Sequence, residues 1–283
     1  MAVRPLLVRV LTFVLVLGGL WALWEGYKWL WERTGWTKPF RADDTTLPHL
    51  HAIVLQLGEK TSTGDRLWLF LLHASLFTAR AAVVGFAIGA IVGFGLGVLL
   101  SQFDVLRRGV MPYVVASQTI PILALAPIVV RGLSGISIGG AAPPDWVRVS
   151  VIAAYLTFFP VTVNTLRGLQ SADPSALELM HSYAARHWTI LWKLRVPSAL
   201  PYIFTALKIA ATASVVGAII GEAPASIQQG LGGAIINFNQ YYVLDPKNLW
   251  ATNLYAAALG ILFFLAVVAA EKVVVRRAPE HLV

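Results

Sequence analysis

Six apolar runs divide this sequence, at about residues 10–24, 81–100, 110–130, 149–166, 202–221 and 249–270. Most are long enough to cross the hydrocarbon core of a bilayer as helices. A segment in hydrocarbon has to satisfy its own backbone N–H and C=O groups, and a helix does so within the run. The expected fold class is therefore all-α, a polytopic membrane protein with six transmembrane helices. Composition agrees: 57% of the 283 residues are hydrophobic and 13% charged, where a soluble domain carries about a quarter charged. The formal net charge of +8 points to anionic lipid rather than nucleic acid, because cations collect on the cytoplasmic face of such proteins. There is no cysteine, so disulfides, zinc thiolates and thiol nucleophiles are excluded.

The first run follows Arg4 and Arg9 like a signal peptide, but Ala22-Leu23-Trp24-Glu25 offers no clean cleavage site. A retained span with an aromatic belt at Tyr27, Trp29 and Trp31 is expected. Residues 32–65 are polar, with a short surface helix over 47–57. The second span carries Gly85, Gly89, Gly93, Gly95 and Gly97, a spacing that favours close helix packing over a hinge. A loop at 101–109, a third span over about 110–130 that contains Pro121 and Pro127, and a Gly/Pro-rich loop at 131–147 follow. Six spans put both termini on one side. With Arg107, Arg108, Arg186, Lys193 and Arg195 on that side as well, the termini and the loops 101–109 and 168–200 are expected in the cytoplasm, and 32–65 outside. No polar stretch is long enough for a second soluble domain.

Catalytic chemistry has little to stand on. Gly58-Glu59-Lys60-Thr61 lacks the upstream glycine and the strand of a phosphate-binding loop. His49 and His51, at i and i+2 on the expected surface helix, point to different faces with no third ligand near in sequence, so no metal site is expected. HExxH and GxSxG are absent. An enzyme reading has no residue to stand on, and no cofactor is expected. Of the charges in or at the edges of spans, Arg80 and Arg148 are expected to snorkel to headgroups. Lys208 either snorkels or pairs with another helix, and Glu222 either anchors the following loop or serves as a gate. Gln118 and Asn164 should face the bundle interior, as glue or as pathway lining. The candidate translocation pathway is Gln118, Thr119, Asn164, Ser214 and Glu222.

Residues 178–197, ELMHSYAARHWTILWKLRVP, interrupt two apolar runs with a basic, amphipathic segment. Its interior has helical periodicity, with Pro197 and Pro201 expected to stop one helix and start the next. It is either a surface helix on lipid or a docking element for a soluble partner. Its intervals resemble the EAA motif of ABC importer permeases, at Glu178-Leu179-Met180, Ala184, Leu194 and Val196-Pro197. Leu-Met replaces Ala-Ala and Ala replaces Gly. Ser75-Leu76 with Arg80, Gly85-Phe86, Gln118-Thr119-Ile120-Pro121 with Ala126-Pro127, and Gly230-Leu231-Gly232 occur in the order seen in permeases of the nitrate/sulfonate/taurine importer family.

That resemblance covers about residues 70–275 and implies a type I ABC importer permease. The implied partners are cytosolic ABC ATPase subunits, an extracytoplasmic substrate-binding protein and a second permease subunit, here a second copy of the chain, in the lipid of the inner membrane. ATP hydrolysis would lie on the ATPase subunit. Glu178, Tyr183, Ala184, Arg186, Trp188 and Pro197 would couple to it. The expected organisation is an N-terminal helix and external segment (1–64), a permease core (65–275) and a cytoplasmic tail (276–283). The solute is a sulfonate- or nitrate-like anion or a pyrimidine- or riboflavin-like heterocycle, and Phe238, Asn239, Gln240, Tyr241 and Tyr242 favour the heterocycle. The competing class is a channel or secondary transporter that needs no ATPase.

Overall fold

The computed structural model describes residues 3–35, 38, 41–61, 64–136, 142–223 and 227–275. The tail expected at 276–283 lies outside the described residues. The helices are α1 (Val3–Thr34), α2 (Leu50–Gln56), α3 (Leu67–Gln102), α4 (Asp104–Ser117), α5 (Ile122–Ser134), α6 (Asp145–Leu169), α7 (Pro174–Ser182), α8 (His187–Ile190), α9 (Val196–Glu222), α10 (Leu231–Gln240) and α11 (Pro246–Val274). A π-helical turn, Leu191–Arg195, joins α8 to α9. No strand occurs among the described residues; Lys60 and Arg66 form an isolated bridge.

Among the described residues, four continuous helical stretches are long and apolar enough to cross a membrane: Leu67–Gln102, Asp145–Leu169, His187–Glu222 and Pro246–Val274. The third apolar run, expected as one span, is not a continuous helix. It is α4 and α5, bent by 96° at a short break. Pro121 has no N–H to continue the ladder and caps α5 from an extended conformation, which accounts for the break. Nor is 101–109 a loop: only Phe103 separates α3 from α4.

The chain forms two compact units, Met1–Phe70 with Asn237–Asn253, and Leu71–Ile236 with Leu254–Val283. In the second unit α6 is the central post. Gly85, Gly89, Gly93 and Gly97 of α3 face it in register. A Cβ at these positions would lie 2.4 Å from Ala153 Cβ, 2.6 Å from the Ala154 carbonyl, 2.6 Å from the Phe158 carbonyl and 2.7 Å from Thr165 Cβ. The rising numbers on both helices show that α3 and α6 run parallel. The chain must therefore return between Gln102 and Asp145, and the described helices there are α4 and α5. Gly95 meets nothing within 4 Å and is off the seam.

α9 packs antiparallel to α6, with Gly168 against Ala199 and Gly217 against Ala153. Two helices thus close on α6 through small residues. Lipid supplies no hydrophobic force between helices, so this close van der Waals approach is what holds them. The packed centre is Ala81, Ala82, Ala126, Val130, Val149, Ile152, Ala153, Val215 and Ala218. The first unit is held by Lys28, 1% exposed on α1, which ion-pairs with Asp44 and donates to the Leu47 carbonyl at 2.9 Å.

Candidate functional site

The 178–197 segment is not one helix. Asp173 caps α7 by accepting the Ser175 N–H at 3.1 Å, with Pro174 at the first helical position. At its end Ala185 N–H bonds the Met180 carbonyl (3.0 Å) and Ala184 N–H bonds the His181 carbonyl (2.9 Å). This pair of bonds is a Schellman closure. It places Ala184 at φ +49°, where glycine is the usual residue. The tight turn therefore forms although this chain carries alanine there.

The chain reverses into α8, whose His187 hydrogen-bonds Gln102 at the end of α3. Pro197 and Pro201 do not stop a helix. Both lie within the first turns of α9, which continues from α8 through the π turn. Each proline lacks the N–H that would bond a carbonyl one turn back, and the wider turn at Leu191–Arg195 lies where that carbonyl would be for Pro197.

The faces of this bend differ. Ile190 and Leu191 are buried, and Leu191 packs with Leu169, Ala199 and Ile203. Tyr183 (76% exposed), Trp188 (65%) and Leu179 (56%) face outward, as do Glu178, Ala184, Arg186 and Pro197. The coupling candidates are thus each exposed along an ordered bend whose inner side packs on Leu169 of α6.

At the far end of α9, Glu222 is 0% exposed. Its Oε2 accepts the Gly232 N–H at 2.7 Å and lies 3.1 Å from the Thr78 hydroxyl. Thr78 Oγ1 itself accepts the Leu231 N–H at 2.9 Å. Three elements, α3, α9 and the start of α10, meet at one carboxylate. The positive end of the α10 dipole suits it. A Cβ on Gly230 would lie 2.3 Å from the carboxylate, and one on Gly232 would lie 2.2 Å from the Ile219 carbonyl. The glycines of Gly230-Leu231-Gly232 are thus the space into which Glu222 fits.

The other pathway candidates do not converge on Glu222. Asn164 Nδ2 donates back to the Pro160 carbonyl at 2.8 Å, and Ser214, fully buried, donates to the Ala211 carbonyl at 2.8 Å. Gln118 and Thr119 sit at the α4–α5 bend, where Thr119 donates to the Ala116 carbonyl and is exposed. Two of the edge charges have specific partners rather than headgroups alone. Arg80 lies 4.0 Å over the Trp146 ring, and Arg148 ion-pairs with Asp145. Lys208 reaches Glu271 of α11 at 3.0 Å, the interhelical pairing that was one of its two expected roles.

In the first unit, a recess of about 410 Å³ is lined by Gln56, Asn237, Phe238, Tyr241, Asp245 and Asn248 among others, including Glu59 and Lys60. Gln56 bonds Asp245 at 2.9 Å and Asn248 at 3.2 Å. The sequence had marked Phe238 and Tyr241, but not the partners that come from α2 and α11. The two histidines also differ from expectation. His49 lies before α2, as its N-cap in an extended conformation, so its ring does not diverge from that of His51; the centroids are 5.1 Å apart.

The chain thus presents an ordered, exposed bend between two apolar helices and holds the start of α10 at the opposite end of the second of them. The chain belongs to the family described as binding-protein-dependent transport system inner membrane component, whose model matches residues 85–278. It is 36% identical over 72% of its length to the formylaminopyrimidine transport permease protein ThiX of Halalkalibacterium halodurans, 77% of which is covered. It is 31% identical over 68% of its length to the riboflavin transport system permease protein RibX of Chloroflexus aurantiacus, with 65% of that protein covered. The putative aliphatic sulfonates transport permease protein SsuC of Bacillus subtilis is 26% identical over 79% of this chain and 72% of its own. Among solved structures, an amino acid ABC transporter with histidines shares the fold at TM-score 0.53 and 17% identity, covering 74% of this chain and 94% of that one. The chain is thus the permease component of a binding-protein-dependent ABC importer and a multi-pass inner-membrane protein. That membership sets aside the channel that works without an ATPase.

Proposed function

We propose that this permease pairs with a second copy of itself, docks a separate cytosolic ATPase subunit through residues 178–197, and passes a flat nitrogen heterocycle received from an extracytoplasmic binding protein. The termini and the 178–197 bend lie on the cytoplasmic side in this reading. The observation that carries it is the exposure of Tyr183, Ala184 and Trp188 on an ordered bend, along which Glu178 and Arg186 are also exposed. Aromatic side chains held rigid at a surface are the usual anchors of a protein contact. The test is Ala184→Asp. Aspartate tolerates the left-handed conformation, so the turn survives, while a carboxylate buried at a docked surface costs several kcal/mol. Loss of the ATPase subunit on purification, and of substrate-stimulated ATP hydrolysis, is expected. Wild-type retention and stimulation would return the segment to the membrane surface.

For the solute, the recess beside Phe238 supports a heterocycle over a sulfonate. It offers two aromatic rings and three amides, whereas an anion would meet the carboxylates of Glu59 and Asp245 against the single ammonium of Lys60. Uptake into proteoliposomes with the cognate binding protein should follow an aminopyrimidine and not an alkylsulfonate, and fall in Phe238→Ala.

A further inference from the structure

The matched family region begins at residue 85, and the first unit contains a cluster outside it. Glu25, His49 and His51 each bring one ligand-type atom to a common point, all within 4.8 Å of one another. Glu25 lies toward the end of α1, and the two histidines lie at the start of α2. We propose that these three side chains bind a divalent transition-metal ion of the zinc type, tying α1 to α2. The chemistry of the set selects the class: two imidazoles and one carboxylate, without thiolate, suit zinc and its neighbours rather than calcium or magnesium.

The surroundings resemble those of a ligand set. Glu25 Oε1 accepts the Leu50 N–H at 2.9 Å, which orients the carboxylate and leaves Oε2 toward His49. His49 Nδ1 lies 2.7 Å from that Oε2. Its other nitrogen, Nε2, lies 3.2 Å from Glu32 Oε1. With an ion on Nδ1, Nε2–H donates to Glu32 and fixes the tautomer, the outer carboxylate that metal-bound histidines commonly have. In a tetrahedral zinc site the ligand atoms stand about 3.3 Å apart. Entry of the ion asks the His49–Glu25 pair to open slightly and His51 to close, and His51 is exposed and free to turn. The carboxylates of Glu25 and Glu32 together balance a doubly charged ion. The nearby Lys28 ammonium is engaged by Asp44 and the Leu47 carbonyl.

The competing account is a protonated His49 held between Glu25 and Glu32, which needs neither His51 nor an ion. The full chain, purified in detergent and stripped with chelator, is titrated with Zn²⁺ by calorimetry and with Co²⁺ by its visible absorption. One ion per chain at micromolar affinity or tighter is expected, with a tetrahedral cobalt spectrum. His51→Ala and Glu25→Gln should each weaken binding at least about tenfold, and Glu32→Gln by about tenfold, as for an outer partner. Melting curves without metal check that the variants fold, and His51→Ala should melt like the wild type. Equal binding by wild type and His51→Ala, or no stoichiometric uptake by the folded wild type, overturns the proposal in favour of the ion pair.

Discussion

Replacing Gly89 by alanine should force α3 and α6 apart, while the same change at Gly95 should not. A Cβ at Gly89 would lie 2.6 Å from the Ala154 carbonyl and 2.6 Å from Thr157 Cβ. Carbon atoms pack best at about 3.5–4.0 Å, so the shortfall is about 1 Å. The nearest atom belongs to backbone and cannot rotate away. Relief requires α6 to retreat along a seam that runs from Gly85 to Gly97, about 18 Å at 1.5 Å per residue. Overpacking of this kind costs about 1–3 kcal/mol. Both substitutions gain the same helix propensity, up to about 1 kcal/mol, so the difference between the two variants isolates the clash. Gly95→Ala should match or exceed the wild type in melting temperature. Gly89→Ala should melt about 2–10 °C below Gly95→Ala on the scaling for domains of this size. Gly89→Leu or Gly93→Leu should fail to assemble. Scanning fluorimetry of the purified chain decides it: if Gly89→Ala and Gly95→Ala melt together, the glycines are not a packing seam.

Thr78→Val leaves the buried Leu231 N–H without its acceptor, at about 1–3 kcal/mol; hydrogen exchange at the start of α10 should quicken in this variant and recover in Thr78→Ser. Lys208→Met strands Glu271, and with about a quarter of each side chain exposed the loss should be about 1–3 kcal/mol, largely restored in the Lys208→Met, Glu271→Gln double variant when melting is compared. The hydrogen bond from Lys28 holds the Asp44 carboxyl below its ordinary value, against a smaller opposing effect of burial. A depressed folded value means that this contribution is present above the unfolded pKa of about 3.9. It is lost as pH falls through the lower folded value. Melting followed downward from about pH 5 should therefore show an acid-dependent step that Asp44→Asn removes.

Much of the second unit was legible because its rules are periodic. Glycines four residues apart can lie only on one helix face, so the seam of Gly85, Gly89, Gly93 and Gly97 followed from spacing, and Gly95 broke the same rule visibly. The bend at residues 178–197 was visible as an amphipathic interruption but not in its backbone. Hydrophobic periodicity does not register a Schellman turn at an alanine, nor a π turn that carries a helix past Pro197. The 96° bend at Pro121 was hidden because apolarity ran on through both halves. Side-chain partners were hardest to read. Glu222 was singled out as a charge, yet its contacts with Thr78 and Gly232 are set by tertiary packing. His49 was misread because its helix begins one residue later, at Leu50.

Glu222 and Trp188 belong to one continuous helical stretch, His187–Glu222, of 36 residues. At 1.5 Å per residue that is about 54 Å. Its first turn carries the exposed bend, and its last residue holds the N-terminus of α10 through a buried hydrogen bond. A helix of this length, packed on α6 through Gly168, Gly217 and Gly221, moves as a rod more readily than it bends, because bending would open contacts that are already at van der Waals limits. The compliant place is the π turn at Leu191–Arg195, next to the bend itself. On the proposed docking of a partner at residues 178–197, a displacement of Tyr183 and Trp188 would be either absorbed at that turn or delivered to α10. The His187–Gln102 bond bears on which occurs, since it fastens α8 to the end of α3, and α3 also carries Thr78, the second partner of Glu222. The two connections from the bend, through α9 and through α3, thus end at the same carboxylate, Glu222, at the start of α10.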